Sequence, residues 1–300
     1  MLTHLYNKTP TFKYKMVVNT INFFQSNTSV QKDLNKNKYP VASYDIYKSS
    51  LKDKIKSIHL VENFDIYHIA KLTSKPTVIF YLHGGGYVLG CMKIHYEFLN
   101  KVVEELNVQI LMPDYPLSPQ YTYQKTVAVV ERAYLNLIEQ YPDHDVVFMG
   151  DSAGGGLAIG LYHKLRQDHQ PLPKKIIAIS PCLDVALNNP EILAYLKTEP
   201  ILKDLQGMQK IGQIYGEGNM THPWVSPYYG DFTDIDNLSV FIGTNDILYP
   251  DCERLRQKML EQNSSANFFV YENMCHCWMI YNSFEESQHA FEHLRNLINC

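Results

Sequence analysis

The stretch DVVFMGDSAGGGLAIGLYHKLRQD, residues 145–168, holds three kinds of backbone in order. Asp145–Met149 is an apolar run of strand length. Gly150-Asp151-Ser152-Ala153-Gly154 is a G-x-S-x-G pattern. Leu157, Leu161 and Leu165 then recur at helical spacing, and Pro171 and Pro173 close the segment. A serine hydroxyl is a poor nucleophile unless a base takes its proton and the backbone presents it to a substrate. Strand, tight glycine-rich turn and helix together make such a presentation, because the turn would clash if it carried larger side chains. The pattern alone is weak: at background glycine and serine frequencies, a chain of this length shows it by chance roughly one time in ten. The flanking strand and helix supply the context it needs.

A second signal lies upstream. Thr77–Leu82 is another apolar strand-like run, and His83-Gly84-Gly85-Gly86 follows it. Consecutive glycines let the main chain approach a ligand and turn N–H groups towards it. Such donors are what an oxyanion needs once a serine has added to a carbonyl. The chemistry also asks for a histidine base, and for a carboxylate that fixes its tautomer. Of the twelve histidines, His276 follows the strand-like run Asn267–Tyr271 on a short loop. His289 and His293 fall in a helical C-terminal segment, and His222 lies between regular strands. Asp246 comes just after the run Leu238–Ile242; its competitor Asp251 follows Pro250 at a helix start, where a carboxylate suits the helix dipole.

With these residues in view, the chain resembles the hormone-sensitive-lipase-like esterases of the α/β-hydrolase superfamily. The resemblance is carried by HGGGYVLG (83–90), DYPLSP (114–119), GDSAGG (150–155), PWVSP (223–227) and GTNDIL (243–248). It implies a mostly parallel central sheet flanked by helices, with a helical cap formed by about residues 1–40 and 183–235, in one domain spanning 1–300. It further implies Ser152 as nucleophile, His276 as base and Asp246 as its partner. Gly84, Gly85 and Ala153 are expected to donate to the oxyanion, with His83 orienting the glycine loop. Tyr87, Tyr115, Tyr215 and Trp224 are expected to line the substrate pocket, and Trp278 to be core. The family's usual DYRLAPE is Asp114-Tyr115-Pro116-Leu117-Ser118-Pro119-Gln120 here, and the missing arginine and glutamate put in doubt the charge network behind the glycine loop.

The alternation of runs predicts strands near 42–47, 55–60, 64–70, 77–82, 108–112, 145–149, 175–180, 238–242 and 267–271. Helices are predicted near 93–106, 122–141, 152–168, 250–262 and 283–298, with two short helices within 1–40. The early strands form an antiparallel start to the sheet. Composition agrees with a folded enzyme: 45% hydrophobic residues, 19% charged and a formal net charge of −4 offer nothing to nucleic acid or an anionic membrane. No apolar run is long enough to span a membrane, and polar residues interrupt any leader-like core near Met16, so a cytoplasmic location is expected.

The six cysteines (91, 182, 252, 275, 277 and 300) have no framework spacing, and reduced thiols are expected. Cys275-His276-Cys277 does not read as a metal site, but two thiols flanking the base suggest redox sensitivity. The expected activity is serine carboxylesterase action on short- to medium-chain acyl esters, with no cofactor and a small-molecule ester as partner. Homo-oligomerisation stays open. An acyltransferase, an amidase or peptidase on the same residues, and a non-catalytic small-molecule receptor remain as alternatives.

Overall fold

A computed structural model describes residues 1–25 and 43–299. Nine strands form one sheet: β1 (Leu2–Tyr6), β2 (Ile55–Val61), β3 (Phe64–Ile69), β4 (Thr77–Leu82), β5 (Gln109–Pro113), β6 (Asp145–Asp151), β7 (Lys175–Ile179), β8 (Leu238–Gly243) and β9 (Ala266–Tyr271). Their spatial order is β1-β9-β8-β7-β6-β4-β5-β3-β2. Every neighbouring pair from β1 to β5 is parallel; β3 runs antiparallel to β5, and β2 antiparallel to β3. This is the α/β-hydrolase architecture expected from the sequence, with its antiparallel start.

The described helices of regular length are α1 (Phe12–Gln25), α2 (Lys93–Leu106), α3 (Tyr123–Gln140), α4 (Ala153–Gln167), α6 (Leu205–Gly216), α7 (Tyr249–Glu261) and α8 (Glu285–Asn299); α5 (Ile192–Tyr195) is a single turn. Residue alternation along the strands explains why the sheet is covered on both faces. Phe80, Phe148, Val240 and Phe268 point into one buried layer with Tyr134, Leu157, Leu161 and Leu255 of α3, α4 and α7. Their strand neighbours Ile79, Tyr81, Val147, Phe241 and Phe269 point into the other, with Phe98, Leu99, Phe291 and Leu294 of α2 and α8. Both faces being apolar, the strands read as nearly continuous hydrophobic runs, which is why they were legible.

The N-terminus corrects the sequence reading. Residues 2–6 are not helical cap but an edge strand, paired in parallel from Leu2 opposite Asn267 to Tyr6 opposite Tyr271. Ring pairs across the ladder hold it: His4 stacks on Phe269 at 4.5 Å and Tyr6 on Tyr271 at 4.8 Å. Those partners lie over 260 positions away, so local pattern carried no sign of them. Helix α1 is one helix over 12–25; the rest of the expected N-terminal cap, residues 26–40, lies outside the described residues. The strand expected near 42–47 is also absent over its described part. Asp45 instead accepts the Tyr47 N–H at 3.0 Å and caps a 3-10 turn at Ile46–Lys48.

Among the described residues, no helix is long and apolar enough to cross a membrane.

Candidate active site

The loops at the C-terminal ends of β4, β6, β8 and β9 converge on one point. Ser152 sits between β6 and α4 with φ 53° and ψ −123°, a backbone region that side chains normally avoid, held here by the hydrogen bonds of its main chain. The Ser152 N–H bonds the Ile179 carbonyl at 2.8 Å, and its own carbonyl accepts from Cys182 at 2.9 Å. Gly154 is required at the turn because a Cβ there would run into the Leu82 and His83 carbonyl oxygens. Helix α4 can thus press its N-terminus against the end of β4.

His276 and Asp246 lie on two loops zipped together by main-chain hydrogen bonds. Thr244 N–H bonds Tyr271 O and Asn245 N–H bonds Met274 O, each at 3.0 Å. Asp246 Oδ2 lies 2.9 Å from His276 Nδ1, and its Oδ1 accepts the Leu248 N–H at 2.9 Å. His276 Nε2 lies 2.9 Å from Ser152 Oγ. With Nδ1–H donated to the carboxylate, Nε2 is free to accept the serine proton. Burial disfavours the imidazolium, but the Asp246 carboxylate, together with the Cys277 side chain beside the ring, raises the His276 pKa above the ordinary histidine value. Asp251, the competing acid, is instead in the first turn of α7, bonded to Arg254 and Asn189.

The glycine loop follows β4. His83 Nδ1 donates to Gly84 O at 2.7 Å, its ring stacks on Tyr115 at 4.3 Å, and burial lowers its pKa to about 4. It is a neutral ring whose hydrogen bond holds the Gly84 carbonyl. The expected donor set changes by one residue. Gly84 N–H is already given to Asp151 Oδ1 at 3.0 Å and Gly84 is not at the cavity wall, so it has no hydrogen to offer a ligand. Gly85, Gly86 and Ala153 do line the cavity, and their N–H groups have no acceptor among the described residues.

Asp151, quoted in the sequence as part of the serine motif and given no role, anchors this loop. It is fully buried and also accepts from Tyr81 OH and from His95 Nε2, the latter at 3.2 Å. His95 Nδ1 accepts the Met92 N–H at 2.9 Å, which leaves the ring proton on Nε2 and aimed at Asp151. This buried set does the bracing that the missing family arginine and glutamate put in doubt.

The cavity over Ser152 has a volume of ≈350 Å³. Its floor is Ser152, His276 and the glycine loop; its walls include Val88, Leu89, Leu187, Leu202, Met208 and Ile211. Of the four aromatic residues expected there, only Tyr87 is at the wall. Tyr215 is behind it, stacked on Tyr87 at 3.7 Å. Tyr115 is buried with its OH on His83 O at 2.6 Å, and Trp224 packs against Lys164 and His222. Aromatic size drew attention to them; core packing claimed Tyr115 and Tyr215, and Trp224 is half-buried away from the cavity wall. Trp278 is fully buried, as expected. The aliphatic wall from 187–211 was missed, because Leu and Ile in a segment without clear periodicity carry no sign of facing a cavity.

Five cysteines are free among the described residues, and no group of three or more His, Cys, Asp or Glu there could hold a metal ion. Burial pushes the Cys275 thiol up, and Cys277 up to about 11. Both are protonated at neutral pH, so the flanking thiols lack the thiolate character a redox sensor uses.

Known proteins place the chain. It belongs to the α/β-hydrolase fold family, whose profile matches residues 79–280. Within that family it is a carboxylic ester hydrolase. It is 28% identical over 221 residues to an esterase of Acinetobacter venetianus, covering 72% of this chain and 73% of that one. It is 31% identical over 205 residues to an acetyl-hydrolase of Streptomyces hygroscopicus, covering 68% of each. Among solved structures, an esterase from the bacterial hormone-sensitive lipase family superimposes with TM-score 0.81 at 24% identity, over 97% of this chain and 98% of the other. The structure of EstE5 soaked with p-nitrophenyl butyrate superimposes with TM-score 0.82 at 23% identity, over 97% and 100%. At such identities these two likenesses speak for the fold alone.

Proposed function

We propose that the protein is a serine carboxylesterase that hydrolyses short- to medium-chain acyl esters through an acyl-enzyme. The observation that carries the reading is the chain Ser152 Oγ, His276 Nε2, His276 Nδ1, Asp246 Oδ2, with both links at 2.9 Å, on the floor of an apolar cavity. Ser152 Oγ gives its proton to His276 Nε2 and adds to the ester carbonyl. The oxyanion is received by the N–H groups of Gly85, Gly86 and Ala153; the last also stands at the positive end of α4. His276 then gives the proton to the leaving alcohol. Water, deprotonated by the same nitrogen, attacks the acyl-enzyme, and the proton returns to Ser152. Residues 183–235 act as a cap over the sheet end and define which acyl group fits.

A cavity of ≈350 Å³ is at the small end of ligand pockets, which supports short and medium chains. The aliphatic walls favour an uncharged acyl group, since the buried Asp151 and His95 are committed to each other. The name of the Streptomyces relative, an acetyl-hydrolase, points the same way. Hydrolysis of p-nitrophenyl esters from acetate to palmitate tests the reading, with Ser152→Ala beside the wild type. Turnover that peaks at short or medium chains, and a loss of kcat on the order of 10⁶ in the variant, is the expected outcome. Turnover that survives in Ser152→Ala contradicts it.

A further inference from the structure

A second carboxylate touches His276. Glu199 lies in the segment between α5 and α6 and is fully buried. Its Oε2 accepts the main-chain N–H of His276 at 3.1 Å. Its Oε1 accepts the main-chain N–H of Ile201 at 2.6 Å and of Leu202 at 3.4 Å. Ile201 and Leu202 are themselves cavity wall. One side chain therefore bridges the loop that carries the base and the segment that faces the acyl group.

We propose that Glu199 is a second positioning carboxylate for the base, holding His276 by its main chain as Asp246 holds it by its ring, and tying it to the cavity wall. The inference rests on the esterase reading above and deepens it. The chemistry is specific to a carboxylate: both oxygens only accept, and every main-chain partner is a donor. An amide in the same place would turn its NH2 towards one of those donors and lose that contact. The negative charge also bears on the imidazolium that forms in each half-reaction, so Glu199 adds to the stabilisation that Asp246 provides.

The groups that face Glu199 come from four places. They are Tyr14 of α1, Asp246 after β8, Cys275 and His276 after β9, and Tyr281 just beyond. Burial, reinforced by the Asp246 charge, pushes the Glu199 pKa up to about 7.

The test is the pair Glu199→Gln and Glu199→Asp, read by kcat, KM and the acid limb of the pH–rate profile on a p-nitrophenyl ester. The rate of Ser152 labelling by a fluorophosphonate reads the same base without ester turnover. In Glu199→Gln, kcat is expected to fall about tenfold with KM within about twofold. The acid limb is expected to move to lower pH, because a charge that favours the imidazolium is gone. Glu199→Asp keeps the charge but is one methylene short, so kcat falls while the limb stays near its wild-type position. A Glu199→Gln profile with unmoved limb overturns the proposal, whether or not kcat has dropped. Wild-type protein inert to both ester and fluorophosphonate sinks the esterase reading instead, so the two failures are distinguishable.

Discussion

The site is built by two regions that obey different rules. The loops at the ends of β4, β6, β8 and β9 carry Ser152, His276, Asp246 and the glycine loop; main-chain bonds tie Ser152 to β7 and Thr244 to β9, and the Asp151 side chain at the end of β6 holds Gly84. The 183–235 segment carries the aliphatic walls and Glu199, and it has one single-turn helix and one of ordinary length, α5 and α6. In the first region a residue's place follows from sheet register. In the second it follows from side chains packing over a cavity, with no ladder to set position. On the proposed reading the sheet carries the chemistry, with Glu199 as the 183–235 segment's one contribution to it, and the aliphatic walls of that segment carry selection, so substitutions should separate the two.

The largest effect on the sheet side, short of removing the nucleophile, is expected at Asp246. Asp246→Asn should lower kcat by about 10⁴ by spoiling the tautomer of His276. It should also move the acid limb down. The carboxylate raises the base's pKa, and Nε2 accepts a proton only when the ring is neutral. Wild-type activity is accordingly lost as pH falls through a limb above the ordinary histidine value of about 6.5, and the variant's limb is displaced to lower pH. A pH–rate profile on both proteins checks this, and a variant limb at the wild-type position would break the assignment.

Asp151 comes next. In Asp151→Asn, the amide NH2 would face the Nε2–H of His95, whose other nitrogen is occupied by Met92. Turned the other way, the NH2 would face the Gly84 N–H, so either orientation sets donor against donor and weakens the anchor of the glycine loop. A fall in kcat of about 10² with KM nearly unchanged is expected, comparable to losing one oxyanion donor. Steady-state kinetics on a short ester would show it, and a raised KM at constant kcat would place Asp151 on the selection side instead.

The cap should behave in the opposite way. Leu202→Trp fills cavity volume without touching Ser152 or the glycine loop. Selectivity for hexanoate over acetate, measured as the ratio of kcat/KM, should fall about tenfold while the acetate kcat holds. If acetate turnover falls as far as hexanoate turnover, cap and chemistry are not separable in this protein.

The same division explains what the sequence revealed. Strands buried on both faces, such as Thr77–Leu82 and Asp145–Met149, announced themselves as apolar runs, and the residues just past their ends followed. Asp246 and His276 could be picked out because they sit one short loop beyond a strand. Gly84 was misassigned because which amide of a glycine run faces outward depends on an acceptor, Asp151, that the motif contains but does not label. Strand β1 was missed because its pairing is with residues near the other end of the chain. Tyr115, Tyr215 and Trp224 look like pocket residues by type, yet packing buries Tyr115 and Tyr215, and Trp224 lies against Lys164 and His222. Glu199 has no motif at all; its importance is set by a three-dimensional meeting with the main chain of His276.

The most direct test is to catch the intermediate. Wild-type protein mixed with p-nitrophenyl butyrate, quenched in acid within the first turnover, digested and analysed by mass spectrometry should carry one butyryl group on the peptide containing Ser152. Ser152→Ala treated alike should carry none. A butyryl group found on another residue such as Cys277, or turnover without any adduct on wild-type protein, would contradict the account.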